Sequence, residues 1–199
     1  MKKSKCISLW CKKILLSFTF ILACCAASVA SDNLFEQARM LQRDGKYDEA
    51  IDTYKAYLLQ PINEDEFTKQ QMVVYTDALV QLMNTYQSKG EPEACITTLQ
   101  ELFNESPILQ KQCLRDYYSV MGYALSRTER MEEAEEITMR VFSIPLRHAT
   151  PERYFRDYAY AAAVFYSNPN YQREVMDWYQ EALLQAELCD LQAYQHNPY

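Results

Sequence analysis

Glycine is almost missing from this chain: Gly45, Gly90 and Gly122 are the only three among 199 residues. β-Branched runs are rare, and no short alternating apolar and polar stretch bounded by turn residues occurs, which excludes a strand-rich fold. Histidine is limited to His148 and His196, and neither has a cysteine or carboxylate at metal-ligand spacing. No Cys-x-x-Cys, His-Glu-x-x-His, glycine-rich phosphate loop or Gly-x-Ser-x-Gly is present, so the sequence implies no metal, no cofactor and no catalytic residue. Bases are scarce beyond residue 30, where 15 Lys and Arg face all 27 acids and leave a net charge of 15 − 27 = −12. Such a body is a poor partner for nucleic acid, which demands clustered Lys and Arg. It is equally poor at holding an anionic membrane, so any membrane contact is expected through the N-terminus alone.

Disulfides are also in short supply. Past the N-terminal segment only Cys95, Cys113 and Cys189 remain. Exported domains that depend on disulfides carry a denser, even set, so this fold is expected to rest on its core. One pair could form, and the spacing does not choose it. Burial of these small side chains is the favoured role over nucleophilic chemistry.

The N-terminus has its own pattern. Five lysines (Lys2, Lys3, Lys5, Lys12, Lys13) precede an uncharged apolar run over 14–30, and a polar break follows at Ser31, Asp32 and Asn33. This predicts a signal peptide over 1–30 and a mature domain over 31–199, exported to the bacterial periplasm or tethered on the outer side of the membrane. Ser28, Val29 and Ala30 suit a signal peptidase. The stretch Ile21, Leu22, Ala23 and Cys24 is similar to a lipobox, which would make Cys24 a lipidated N-terminus. The run is about 17 residues long, at the lower edge of a bilayer span, so a retained anchor is the third alternative.

What the body does contain is Leu, Ala, Glu, Gln, Met and Arg in amphipathic order, a helical composition. Turn signals recur around Gly45, Gly90, Arg130 and Pro169, each followed by an apolar-periodic segment. The intervals from Ala50 to Cys95, Ala134 and Glu174 are 45, 39 and 40 residues. A period near 40 with a helix on either side of a turn predicts an all-α solenoid of about four helix-turn-helix repeats. The expected helices are 32–44, 47–60, 65–88, 92–105, 109–127, 131–143, 151–167 and 171–190. Two helices of a hairpin approach closely only where side chains are small, so Ala38 with Ala50, Met83 with Cys95, and Gly122 with Ala134 are expected contacts. Pro61, Pro107 and Pro145 are expected to close the second helices.

These residues carry a resemblance. The segment 34–61, with Ala38, Gly45, Tyr47, Ala50, Tyr54 and Pro61, resembles a tetratricopeptide repeat. The next unit is similar through Leu79, Leu82, Tyr86, Gly90, Cys95, Leu99, Leu102 and Pro107, and the third through Tyr118, Gly122, Leu125, Ala134, Val141 and Pro145. The fourth departs from the pattern, because Glu174 stands where a small residue belongs. The units exceed the 34 residues usual for the family. The resemblance implies a concave groove lined by first helices, presenting Phe35, Arg39, Arg43, Asn84, Tyr123, Arg127, Arg156 and Tyr166. Arginine and tyrosine are enriched at recognition hot spots. Inward arginines on an acidic protein favour a protein or peptide ligand of acidic character. The chaperone-tail clamp of some family members is not implied: its counterparts here are Phe35, Arg39, Gln81, Asp116 and Val120, of which only Arg39 is basic.

The acidic run Glu132, Glu133, Glu135 and Glu136 sits at a helix start, where free amides favour carboxylates without any metal. The aromatic residues between Tyr154 and Tyr166 are expected to be mostly core. The last unit has no evident polar cap, which raises the prospect of a homodimer through the C-terminal repeat. Two functional classes result: a non-enzymatic exported interaction module, or the periplasmic sensor region of a two-component histidine kinase, whose layout is similar. A hydrophobic span and kinase motifs beyond Tyr199 in the gene would separate them.

Overall fold

The computed structural model describes residues 34–146 and 148–196. The signal peptide, lipidation at Cys24 and cleavage expected from the sequence fall on residues outside those described. Among those described the fold is all-helical and contains no strand.

Helix α1 spans 34–43 and α2 spans Tyr47–Leu58. A 3-10 turn at Glu64–Glu66 leads into α3, Lys69–Lys89. Then come α4, Pro92–Glu105, a single short turn α5, Pro107–Lys111, and α6, Leu114–Leu125. Helix α7 covers Met131–Ser143 and α8 covers Pro151–Phe165. After a second 3-10 turn at Pro169–Tyr171, α9 runs over Gln172–His196. None of these helices is long and apolar enough to cross a membrane.

The ends of the helices are set by ordinary chemistry. Thr68 caps α3, accepting from the Gln71 amide at 3.2 Å, while the Gln71 side chain accepts from the Thr68 amide at 2.9 Å. This reciprocal capping is why α3 begins at Lys69 rather than near residue 65. Gly90 ends α3 with φ +79°, a left-handed turn that lets the chain reverse into α4. Pro92, Pro107 and Pro151 open α4, α5 and α8 at positions where the missing amide hydrogen costs nothing. Pro107 therefore both follows α4 and starts a new turn. The helix expected over 109–127 is broken at Gln112 and Cys113: the Gln112 and Cys113 amides both return to the Ile108 carbonyl, each at 2.9 Å, and close α5 before α6 begins.

Helices pack in chain order: α2 on α3, α3 on α4, α4 on α6, α6 on α7, α7 on α8 and α8 on α9, while α3 also meets α6 and α6 meets α8. Phe35 of α1 packs against Tyr54 and Tyr57 of α2, with ring centroids 6.2 and 5.8 Å apart. Small residues sit at the closest approaches. Ala38, Ala50 and Ala134 are fully buried, and Cys95 is nearly so. A Cβ at Gly122 would run into the Thr138 hydroxyl and lie 3.4 Å from the Ala134 carbonyl oxygen, so the α6 and α7 backbones meet where only glycine fits. In the final pair Glu174 points to solvent, and the burial falls instead on Val175, Trp178 and Ala182. One continuous core runs from Phe35 to Val175, with Tyr75, Leu79, Leu82, Leu99 and Phe165 fully enclosed.

Candidate recognition face and a buried charge cluster

Two arrangements of polar side chains stand out, and they differ in accessibility. The first is a polar depression of about 340 Å³ lined by Arg39, Gln42 and Arg43 of α1, Tyr47 at the start of α2, and Gln81 and Ser88 of α3. Arg39 and Arg43 are four residues apart, which places both on one face of α1. Gln81 and Ser88 are two turns apart on α3 and face them. Arg39 is partly committed: it pairs with Glu36 at 3.0 Å and lies 5.7 Å from the Phe35 ring centroid. Arg43 is exposed and makes no ion pair among the described residues. Gln42 accepts from the Tyr54 hydroxyl at 2.8 Å, which fixes its carbonyl and leaves its amide group as a donor to the depression. Two guanidinium groups, two amides and two hydroxyls make a donor-rich surface suited to carboxylate oxygens.

The face continues along α3. Gln81 donates to Asp77 at 3.3 Å. Burial, reinforced by the Asp77 charge, pushes the Tyr54 hydroxyl well above its ordinary range. Tyr160 of α8 is pushed up to about 12, by burial first and with Asp77 among the smaller causes. Tyr160 stacks on Tyr123 of α6 at 4.3 Å with ring planes 12° apart.

The second arrangement is internal. Asp116 of α6 is fully buried and receives Arg153 of α8 through both carboxylate oxygens, with Nε to Oδ1 at 2.9 Å. Arg156 also donates to Asp116. Asp157 is likewise buried and takes the Arg115 Nε at 2.8 Å, with an Arg156 nitrogen 3.5 Å from its other oxygen. Arg115 continues to the Ile144 carbonyl at 2.7 Å, and Arg153 to the His148 carbonyl at 3.1 Å. Three cations and two anions thus clamp α6, α8 and the segment that joins α7 to α8. Burial alone would raise the Asp116 carboxyl, but the Arg156 and Arg153 guanidiniums override it and hold it below the usual carboxylate range. Burial opposes the charge on Arg156 too, and Asp116 and Asp157 outweigh it.

The structure sorts the residues expected to line a groove. Arg39 and Arg43 meet in the depression. Phe35 does not take part: it is 6% exposed, because the α1 to α2 contact needs a large ring. Arg156 is a second correction, since its side chain is consumed by Asp116 and Asp157 inside the core. Asn84 and Tyr123 are half-buried and Arg127 is exposed, and Tyr166 is 71% exposed at the end of α8; none of these four lines the depression. Asp116 and Val120, placed at clamp-like positions by the sequence, are buried. Sequence reasoning missed the Arg115, Asp116, Arg153 and Asp157 cluster. Its signal was present: Arg153 and Asp157 fall in step with the buried Ala161 and Val164 of α8, charges on a core stripe.

Cys95 and Cys113 are buried and form no disulfide. Burial pushes both thiols up to about 12, so they are inert as nucleophiles at neutral pH. Among the described residues no group of histidine, cysteine and carboxylate side chains could hold a metal ion. No protein-family model and no curated protein matches the chain.

Proposed function

We propose that this chain is a non-enzymatic interaction module of tetratricopeptide type, a short solenoid of helix pairs that is exported by its N-terminal segment. Its ligand is an extended protein or peptide segment with carboxylate groups. The observation that carries this reading is the depression where Arg39 and Arg43 of α1 face Gln81 and Ser88 of α3. Support for the repeat architecture comes from the order of packing, in which each helix rests on its successor and first members of neighbouring pairs also touch. Arg39 and Arg43 place two guanidinium groups at the depression, and a locally basic patch on an acidic protein favours acidic partners.

The test is fluorescence anisotropy with a labelled peptide alternating Glu and Gly, compared with its Gln counterpart. The Glu peptide is expected to bind the chain, to weaken with added salt, and to weaken about tenfold or more with Arg43→Glu, since a like charge replaces an attractive one. Arg127→Glu, outside the depression, is expected to leave binding within about twofold of the parent. Equal binding of both peptides, or no effect of Arg43→Glu, contradicts the reading.

A further inference from the structure

Helix α9 is the second helix of its pair, and its two faces differ. Val175, Trp178 and Ala182 turn inward, with the Trp178 ring 5.3 Å from Phe165 of α8 and stacked 5.5 Å from Phe142 of α7. Outward lie Met176, Leu183 and Leu184, exposed by 58%, 63% and 48%. Large apolar side chains at such exposure on one helix face signal a contact surface. The remaining question is what chemistry would cover it.

The answer is written in the order of the outward residues. Arg173, Met176, Gln180, Leu184 and Glu187 occupy one stripe, because steps of three and four residues follow the helix surface. Their spacing is 3, 4, 4 and 3, which reads the same in either direction about Gln180. Arg173 is the only Lys or Arg of α9, and it stands at one end of the stripe. Glu187 stands at the other. Both are exposed, and neither makes an ion pair among the described residues. Turned end for end, a second α9 would set its Glu187 against Arg173, its Leu184 against Met176, and its Gln180 against Gln180. A foreign acidic or basic helix would satisfy one end of the stripe and oppose the other.

We infer that the outward face of α9 is a two-fold docking surface for a second copy of this chain, with the two helices antiparallel and the axis at Gln180. Isologous pairing makes the Arg173–Glu187 and Met176–Leu184 matches occur twice about the central Gln180 contact, so every residue in the stripe is satisfied by the same patch on the partner. The stripe from Arg173 to Glu187 is roughly 21 Å long at 1.5 Å per residue. Contact along one helix buries less than the ~1,600 Å² of a standard interface, so a weak, transient dimer is expected, one that forms at micromolar concentrations and above. This surface is separate from the α1 and α3 depression, and its existence does not depend on a peptide ligand.

Sedimentation velocity on the full chain between about 1 and 200 μM brackets that range. Concentration-dependent dimerisation is expected. Arg173→Glu and Glu187→Arg should each weaken it about tenfold or more, because each places two like-charged pairs across the seam. The double exchange Arg173→Glu with Glu187→Arg restores the opposite pairing and should recover dimerisation to within about threefold of the parent. Leu184→Gln should weaken it as well, with an unchanged helical circular dichroism spectrum in every variant. A monomer throughout the range overturns the inference. So does self-association that ignores the charge reversals, or a double exchange that stays as weak as the single ones.

Discussion

The two halves of the molecule use the same helix-on-helix packing but hold it together with different chemistry. In the N-terminal half the ion pairs between helices lie at the surface, and the inner cross-links are neutral phenols. Tyr54 reaches Gln42, Tyr75 reaches both the Leu58 carbonyl and Ser106 at 2.7 Å, and Tyr86 meets Thr98 at 2.7 Å. In the C-terminal half the corresponding work between α6 and α8 falls to three arginines and two aspartates. The arginines of α1 are left at the surface, where they can meet a ligand; those of α6 and α8 are spent inside. Neutral ties demand little when one partner is lost, whereas a buried ion cluster punishes the loss of one member by stranding the others. The comparison therefore predicts unequal sensitivity to mutation and to acid.

The largest effect is expected at Asp116. Asp116→Ala leaves Arg153 and Arg156 buried without their shared anion and should cost about 3–5 kcal/mol in a urea titration. A smaller loss, comparable to that of a single phenol, would show that the cluster is better hydrated than its burial implies. Next comes Gly122, which tests packing rather than adhesion. Gly122→Ala should cost about 1–3 kcal/mol despite the better helix propensity of alanine, because the new methyl meets Thr138. Gly122→Ala combined with Thr138→Ala should recover part of that loss. Tyr75→Phe removes one hydroxyl with two partners and should cost about 1–2 kcal/mol. At the small end, Glu136→Gln at the exposed Arg140 pair should change stability by no more than about 0.5 kcal/mol.

The pH dependence sharpens the same contrast. Asp116 has a folded pKa below its ordinary value. Its contribution is thus complete above the unfolded carboxylate pKa of about 4 and is lost as pH falls through the lowered folded value. Tyr75 has its pKa raised, by burial first. Its contribution is complete below the unfolded phenol pKa of about 10 and is lost as pH rises beyond it. Acid should loosen the C-terminal half first, whereas alkali should act on both halves, because burial also raises Tyr117 of α6 and Tyr160 of α8.

Much of the helical architecture was legible in the sequence. Gly45, Gly90 and the proline positions marked the turns, and Gly122 with Ala134 marked a close approach that the structure contains. These features are local, so chain order reveals them. The break at Gln112 and Cys113 was hidden, because nothing in Leu109, Gln110 and Lys111 disfavours helix; the amide pattern around Ile108 makes the interruption. The site divided in the same way. Arg39 and Arg43 could be placed together from their four-residue interval. Arg156 could not be separated from them by type, since an arginine facing a groove and one facing a buried aspartate read alike. The deciding partner, Asp116, lies 40 positions away. The register of the repeat resemblance places Phe35 in the groove, whereas the α1 to α2 contact takes its ring as core.

The division into a phenol-tied half and an ion-tied half is tested most directly by residue-resolved hydrogen exchange at pH 6.5 and pH 3, with rates corrected for intrinsic chemistry. The account predicts that protection in α6 and α8 falls on acidification while α2, α3 and α4 retain theirs. Parallel loss in both halves, or earlier loss in α2 and α3, would contradict it.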